Sequence, residues 1–256
     1  MSESTLPSAS RSAGVLDTLR DEILTGQYRP GERLPSEREL AARFETSRGA
    51  VREALKKLEQ LGIAAVHPGG VRVVPLEEAS LDVLGPLLDL QEVPDIVLVD
   101  QTMRVLSLLV LEAARDMAAT APEADLEHAR GLVRRIAELA PDDPEALDLR
   151  MELGRFFMTA SGNLPMRLIA NGLRIQFADR LRARGIAPRP EPKAFRSRMK
   201  ALDAALASRD GDAVAATMRS LMELNQKALH AALEAAGATA RGLDLLPAAP
   251  SRGIRS

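Results

Sequence analysis

The stretch PGERLPSERELAARFETSRGAVREALKKLEQLGI, residues 30–63, decides the fold of the first part of this 256-residue chain. Its second half predicts a helix that begins near Thr46 or Ser47, either of which can cap it, and that stops before Gly62. At 3.6 residues per turn, one side of this helix is apolar and the opposite side is cationic or small. The apolar side holds Val51, Ala54, Leu55 and Leu58, and the opposite side holds Arg48, Gly49, Arg52 and Lys56. We therefore predict that one side packs on its own domain while the other presents positive charge to solvent.

Two helices are predicted before this one. Apolar residues at helical spacing predict the first of them over residues 13–25. The second begins at Ser36, because the spacing of Ser36 and Glu39 matches a capping box, in which each side chain bonds the backbone N–H of the other residue.

A hairpin is predicted behind the third helix. Short β-branched runs at residues 63–66 and 71–74 flank the sequence HPGG at residues 67–70. Two such runs around a turn rich in Pro and Gly are typical of paired antiparallel strands. Three helices followed by a hairpin form a winged helix-turn-helix, which we place at residues 13–75.

The remainder of the chain is predicted to be helical. Residues 76–94 form a linker with one short helix, and residues 95–236 form an all-α, six-helix antiparallel bundle. Residues 1–12 and 237–256 are rich in Ser, Ala, Pro and Gly and are predicted to be disordered tails. The expected fold class is thus mostly α. The six helices are predicted at residues 95–119, 123–140, 144–160, 164–185, 192–208 and 212–236.

The composition excludes several classes of protein. The chain has no Cys, which excludes disulfides and thiolate metal sites. The N-terminus lacks the pattern of a secretory signal, and no run approaches the roughly 18 apolar residues of a membrane span. We therefore expect a cytoplasmic protein with no membrane partner. The net charge of −2 argues against a uniformly basic coat protein, so the positive third helix indicates one localised contact with a polyanion.

The third helix has the features of a DNA-recognition helix. Such a helix inserts its N-terminal end into the major groove, so cationic and small residues are needed there. Arg48 and Arg52 can bind guanine edges or phosphates, and Gly49 leaves room for close approach. The glycines of the hairpin turn would let its backbone run against the duplex. The alternative is a small three-helix domain that binds protein or only packs.

The stretch quoted above resembles the signature of the GntR family of bacterial transcriptional regulators, and the resemblance covers nearly all of the first 75 residues. It implies binding to a double-stranded DNA operator. The positions that contact DNA in the family fall here on Arg38, Ser47, Arg48, Gly49, Ala50, Arg52 and Gly69. Residues 49–50 are Gly-Ala, where many members carry Thr or another polar residue. We therefore expect Arg48 and Arg52 to make most of the base contacts.

The helical part resembles the FCD effector domain of the FadR-type subfamily of these regulators. The matching segments are LEAARDMAA at residues 111–119, FFMTASGN at 156–163 and ALASRDGDAVAATMRSLM at 205–222. The resemblance implies a homodimer that binds a pseudo-palindromic operator, with a small-molecule pocket inside each bundle.

A metal site is common in FCD domains, where one Asp and three His hold a divalent ion. Aligned within the segments above, these four ligand positions become Arg150, Gly154, Met199 and Leu221. None of the four residues is a normal metal ligand. We therefore predict no metal and no other cofactor.

A pocket without a metal ion needs another source of positive charge, and Arg150 would supply it by binding an anion bidentately. The alternative is that Arg150 is a solvated residue on its helix. Met199 and Leu221 would make the pocket more apolar, while Arg104 and Asn171 are polar residues of largely apolar helices that would line it. The predicted effector is an organic anion of apolar character, unless the pocket is packed shut.

Three functions are consistent with these patterns. The first is a dimeric regulator controlled by a small molecule. The second is a ligand-independent DNA-binding dimer with a degenerate sensor domain. The third is an enzyme with a DNA-binding appendage, but the sequence has no Cys nucleophile, no His with an obvious carboxylate partner and no Gly-rich phosphate loop. We therefore expect that the protein is not an enzyme.

Overall fold

A computed structural model describes residues 8–238 of the chain. Of the two predicted tails, residues 1–7 and 239–256 lie outside the described residues. Within the described part, the chain forms two compact units that divide between Glu92 and Val93. The predicted fold class is confirmed, since a winged helix-turn-helix forms the first unit and helices form the second.

The first unit combines short helices with one two-stranded sheet. Its described elements in chain order are α1 (Ser8–Leu24), α2 (Glu37–Arg43), α3 (Arg48–Gln60), β1 (Ala64–His67), β2 (Gly70–Val73), turns of 3-10 helix at Leu76–Glu78 and Leu81–Val83, and α4 (Leu84–Asp89).

Helix α1 begins at Ser8, which corrects the assignment of residues 8–12 to a disordered tail. Ser12 is only 7% exposed and lies on the side of the helix that Val15 and Leu19 continue. A small polar residue thus starts the buried stripe of α1. The hydropathy of the sequence did not reveal this first turn because Ser is not apolar.

The predicted amphipathic character of α3 is confirmed. The buried residues of this helix are Ala50, Val51, Ala54, Leu55 and Leu58. All of them except Ala50 belong to one core with apolar residues of α1, α2 and β1, of which Leu19 and Leu40 are fully buried. Because α1 and α3 pack against each other, this core fixes the direction in which the opposite side of α3 points.

The N-termini of α2 and α3 are both capped as predicted. Ser36 Oγ accepts from the Glu39 N–H at 3.3 Å, and Glu39 Oε2 accepts from the Ser36 N–H at 2.8 Å, which completes the capping box. Ser47 Oγ accepts from the Ala50 N–H at 3.2 Å. Glu45, in the turn between the two helices, has a left-handed φ of 48°. The first turn of α3 is therefore fixed by its own N-cap.

Strands β1 and β2 form the predicted hairpin. Ala64 pairs with Val73 at the base, and His67 pairs with Gly70 beside the turn. An isolated antiparallel bridge joins Arg33 to Arg72 of β2, so the segment before α2 lies along the open edge of the hairpin.

Residues 76–92, which the sequence assigned to a linker, fold onto the first unit. The predicted short helix is α4, and Val83, just before it, belongs to the core of this unit. Gly62 has a φ of 73°, and a Cβ at this position would lie 3.0 Å from the Cα of Ala79. The chain therefore returns directly against the end of α3, and this close approach requires glycine at position 62.

The second unit contains the six predicted helical segments. Its described elements are α5 (Ile96–Thr120), α6 (Glu123–Glu138), α7 (Pro144–Ala160), α8 (Leu164–Leu173), a π-helical turn (Arg174–Ala178), α9 (Asp179–Ala183), α10 (Pro192–Ala207) and α11 (Gly211–Ala235). Helix α5 packs on α7, α8 and α11, and α6 packs on α7 and α10. Met117, Phe157 and Phe195 are almost fully buried in the core that these helices share.

The helix predicted at residues 164–185 is continuous but contains the π-helical turn. In this turn the Asp179 N–H bonds to the carbonyl of Arg174, five residues earlier. Such turns insert one residue into an α-helix and frequently occur at functional sites. Arg174 and the buried Phe177 of this turn both line the cavity of the unit.

Candidate DNA-binding surface and effector cavity

The exposed side of α3 starts at its first residue. Arg48 and Gly49 are exposed in the first turn, and Arg52 is exposed one turn later. Among the described residues, no carboxylate lies within ion-pair distance of the Arg48 guanidinium. This cation is therefore available to an external anion at the N-terminal end of the helix, where the helix dipole also favours negative charge.

Arg52 differs from Arg48 because it has an internal partner. Its Nε and Nη2 donate to the two carboxylate oxygens of Glu37 on α2, at 2.9 and 2.8 Å. This hydrogen bond lowers the pKa of Glu37 and raises the pKa of Arg52. The Arg52 side chain is still 61% exposed. Glu37 therefore holds the guanidinium in one orientation at the surface and partly neutralises it, a feature that helical spacing within α3 alone did not show.

The other predicted DNA-contacting residues separate into two groups. Arg38 on α2, Ser47 at the start of α3 and Gly69 at the tip of the hairpin are exposed. Ala50 is only 7% exposed, which corrects its placement on this surface. Successive residues of a helix are 100° apart, and Ala50 falls beside the buried Val51 and Ala54. The DNA contacts of the exposed residues remain predictions.

The sheet edge contributes two further exposed arginines, Arg33 and Arg72, which the sequence pattern does not place together. Arg33 and Arg72 are bridge partners, so their side chains lie on the same face of the sheet. The Arg72 Nη1 donates to the Gly31 carbonyl at 2.8 Å. Gly70 has a φ of 121°, and a Cβ at this position would lie 2.7 Å from the Arg33 Nε. This pairing joins residues far apart in the sequence, which local periodicity cannot predict.

The second unit contains a cavity of about 510 Å³. This volume falls within the range of small-molecule sites in proteins, roughly 300–1,000 Å³. Most of its lining is apolar, and the methionines among the lining residues are Met103, Met151, Met158, Met199, Met218 and Met222. Because Met side chains adapt their shape to what they contact, such a cavity can accommodate an apolar molecule.

The predicted pocket residues that line this cavity are Arg150, Asn171, Met199 and Leu221. Arg104 is exposed and does not line it, which corrects our placement of this residue. Helix α5 faces the cavity through Met103, Leu106 and Ser107 instead. Val105 is 47% exposed, so α5 carries apolar residues on its outer side too, and the hydropathy pattern did not indicate which side faces inward.

Arg150 lies in an unusual environment for a cation. Its Nη1 donates to Asn225 Oδ1 and its Nη2 donates to the Pro141 carbonyl, both at 3.2 Å. The guanidinium carbon lies 5.3 Å from the centre of the Phe195 ring. Burial lowers the pKa of Arg150 to about 10, so the group remains charged near neutral pH. These contacts do not match the alternative interpretation, in which Arg150 is a solvated residue on its helix.

The residues of the cavity do not fit a divalent metal ion. Gly154 also lines the cavity, so all four positions aligned with the metal ligands of FCD domains meet there, and none of them offers a suitable donor. In the described part of the chain, no three His, Cys, Asp or Glu side chains lie together as a metal site would require.

Together, the two units have the architecture of a transcriptional regulator: a winged helix-turn-helix whose third helix exposes arginines, and a helical unit with a cavity of ligand size. Family comparisons agree with this class. The model of the bacterial regulatory proteins of the gntR family matches residues 11–74, and the FCD domain model matches residues 101–224. The chain belongs to the GntR family of bacterial transcriptional regulators and carries an FCD effector-binding domain.

Relatives of this chain are named as transcriptional regulators, not as enzymes. The chain is 30% identical to the HTH-type transcriptional regulator Mce2R of Mycobacterium tuberculosis over 231 residues, which cover 86% of this chain and 91% of Mce2R. It is 31% identical to the HTH-type transcriptional regulator LutR of Bacillus subtilis over 123 residues, which cover 47% of this chain and 54% of LutR.

A solved structure with the same fold is that of Lar, which is described as controlling the expression of the Listeria monocytogenes agr system. Its TM-score is 0.51 at 17% identity, over 86% of this chain and 96% of Lar. In the part of the chain that the structure describes, no helix combines the length and the apolar character needed to cross a membrane.

Proposed function

We propose that this chain is a sequence-specific DNA-binding regulator that acts as a homodimer on a pseudo-palindromic operator and responds to a small molecule in its cavity. One observation carries the proposal: α3 buries its apolar side in the core and exposes Arg48 and Arg52 in its first two turns. A helix held in this way can enter the major groove by its N-terminus and bring arginines to base edges.

Homodimerisation is supported by exposed apolar side chains of the second unit. They lie on α5, on α8 and on the π-helical turn, and α5 packs against α8. These exposed residues are Val105, Leu108, Leu164, Leu168, Ile169 and Ile175. A group of several exposed apolar side chains is typical of a protein interface. We propose a second copy of this chain as the partner, because a two-fold symmetric operator requires two recognition helices.

The DNA-binding part is tested by selecting an operator from random duplexes with the full chain and measuring affinity by fluorescence anisotropy. Arg48→Ala and Arg52→Ala should each weaken operator binding by roughly 5- to 150-fold, because each removes a contact to a base or a phosphate. Arg196→Ala is the matched control, since Arg196 is an exposed arginine of α10 in the second unit. Full affinity in both α3 variants would show that α3 is not the recognition helix.

The dimer is tested separately by analytical ultracentrifugation. Leu168→Glu places a charge on a side chain that is 60% exposed, and it should shift the protein to monomers if this surface is the interface. Leu81→Glu is the control, because Leu81 is a 45% exposed leucine of the first unit. Equal dimerisation of both variants would contradict the proposed interface.

Control by a small molecule separates this proposal from a ligand-independent dimer with a degenerate sensor. A ligand that shifts the DNA-binding equilibrium must bind the two states of the dimer with different affinities. At 100 times its dissociation constant, a ligand should stabilise the protein by about 2.7 kcal/mol, which a thermal-shift screen detects. A cavity of about 510 Å³ favours the responsive regulator over a closed core.

We also propose that the protein acts in the cytoplasm, where a bacterial operator is located, and that it has no catalytic activity of its own. The names of its relatives support the second statement. Turnover of a cavity ligand by the purified protein would contradict it.

A further inference from the structure

All charged residues that line the cavity of the second unit are positively charged. Its thirty lining residues include no Asp or Glu, and its five charged residues are Arg150, Arg155, Arg167, Arg174 and Arg182. Two of these arginines are paired with carboxylates outside the lining, Arg174 with Asp179 and Arg182 with Asp148. The cavity as a whole therefore favours a negatively charged molecule.

Arg150 is largely desolvated, since burial lowers its pKa, and two hydrogen bonds hold its guanidinium. Its two hydrogen-bond partners, Asn225 and Pro141, are neutral, and no carboxylate of the described residues lies within ion-pair distance. Dipoles orient a guanidinium but do not neutralise it, and a desolvated charge without a counterion is unfavourable. A ligand that brings one negative charge would complete this site.

The guanidinium is also prepared geometrically to bind a carboxylate. It has five N–H donors in a planar fork, of which Asn225 and the Pro141 carbonyl occupy two. The three remaining N–H groups can donate to both oxygens of a carboxylate, which binds bidentately. Because Asn225 fixes the fork from α11, it acts as a positioning residue for Arg150.

The rest of the cavity determines what must be attached to the carboxylate. Along α7 the lining extends from Leu147 to Thr159, which at 1.5 Å per residue corresponds to about 18 Å. The six methionines named above come from α5, α7, α10 and α11 and supply an adaptable apolar surface. An elongated body without polar groups matches this surface better than a small hydroxylated acid does.

We propose that the cavity binds an elongated aliphatic monocarboxylate directly, with its carboxylate on the Arg150 guanidinium, its chain among the methionines, and no metal ion between ligand and protein. This inference rests on the proposed function and deepens it, since it names the chemical class of the effector. In this domain Arg150 thus takes the place of the ion at which related domains collect their ligands, and the site needs no divalent cation to bind an acid.

The test uses the full chain and linear saturated carboxylates from butanoate to dodecanoate, with binding measured by isothermal titration calorimetry in the presence of EDTA. Affinity should rise by about tenfold for every two methylene groups until the cavity is filled. The alcohol of the same length should bind at least about tenfold more weakly than the acid, because it lacks the charge. Loss of acid binding in EDTA, or equal affinity for acid and alcohol, would overturn the proposal.

Two variants locate the carboxylate. Arg150→Met should reduce acid affinity by at least about tenfold and leave alcohol affinity within a few-fold of the starting protein. Asn225→Asp keeps the size of its side chain but places a carboxylate against the guanidinium, so it should also weaken acid binding while alcohol binding persists. If Arg150→Met does not fold, as judged by circular dichroism, Asn225→Asp still decides the question. Acid affinity that is unchanged in Asn225→Asp would contradict the role of Arg150.

Operator affinity measured on the same preparations separates this inference from the proposed function. DNA binding by the starting protein without any binding of carboxylates would refute the effector class and leave the regulator intact. Carboxylate binding without any DNA binding would refute the proposed regulator and leave the effector class intact.

Discussion

The two units of this protein carry their sites in different ways. The proposed DNA-binding surface is built mainly from one helix, so the order of residues in α3 already determines which side chains share a face. The cavity is lined by five helical segments between residues 103 and 229, of which α7 supplies nine lining residues and α10 only Met199. A site on one helix follows from periodicity, whereas a site between helices follows only from tertiary packing.

The largest expected loss of stability follows from a substitution in the helical unit, where some residues belong to both the core and the cavity lining. Phe157 is fully buried and also lines the cavity, so Phe157→Ala should destabilise this unit by about 3–5 kcal/mol through lost burial and a larger void. Scanning calorimetry of the full chain measures this as a lower transition of that unit. The neighbouring Phe156, which is only partly buried, is the control and should cost clearly less. Equal losses would contradict the packing described for α7.

A smaller loss of stability is expected at the start of α3, where the proposed DNA-binding surface depends on a local hydrogen bond. Ser47→Ala removes the acceptor for the Ala50 N–H and should destabilise the first unit by about 1 kcal/mol. Hydrogen exchange of the Ala50 amide should accelerate by about fivefold, since that factor corresponds to 1 kcal/mol at room temperature. Ser47→Asp is the control, because Asp also caps helices and should keep the amide protected. Unchanged exchange in Ser47→Ala would show that the cap does not hold this turn.

The smallest expected effect concerns the pair that joins Arg52 to Glu37. Glu37→Gln removes a negative charge next to the proposed DNA surface and releases Arg52 from its fixed orientation. Binding to random-sequence DNA should become several-fold tighter, and the ratio of operator to random affinity should fall, because the freed guanidinium is attracted to any phosphate. Fluorescence anisotropy with both duplexes measures this ratio.

The matched control for this prediction is Glu53→Gln, which breaks the exposed pair of Glu53 with Lys56 further along the same helix. It changes the net charge equally but leaves Arg52 in place. If both variants lower the ratio of operator affinity to random-sequence affinity by the same factor, Glu37 contributes charge alone and does not orient Arg52.

The same contrast explains which parts of the molecule the sequence could predict. The buried side of α3, the capping box at Ser36 and the hairpin all depend on residues within a few positions of one another. The Arg33–Arg72 bridge and the Glu37–Arg52 pair join separate elements, and neither was predicted. Ala50 was misplaced because a family position was transferred without its orientation on the helix.

In the helical unit, the sequence predicted where the helices lie along the chain. It predicted few of the contacts between these helices. The positions aligned to a metal site do converge on the cavity, because the alignment carried tertiary information that periodicity lacks. Arg104 was misplaced since α5 is apolar on both sides. The π-helical turn was not predicted, because one extra residue per turn leaves little trace in hydropathy.

The proposed regulator role requires that the first turns of α3 face a DNA duplex with their arginines. The most direct measurement is the slope of log affinity for the operator against log salt concentration, compared between the starting protein and Arg48→Ala. A cation held in the groove neutralises about one phosphate charge and releases its counterion even where it also binds a base edge, so it contributes close to one unit of slope. We expect a salt-dependent affinity whose slope falls by about one unit in Arg48→Ala and is unchanged in Arg196→Ala. Binding without salt dependence, or a slope that both variants leave unchanged, would contradict it.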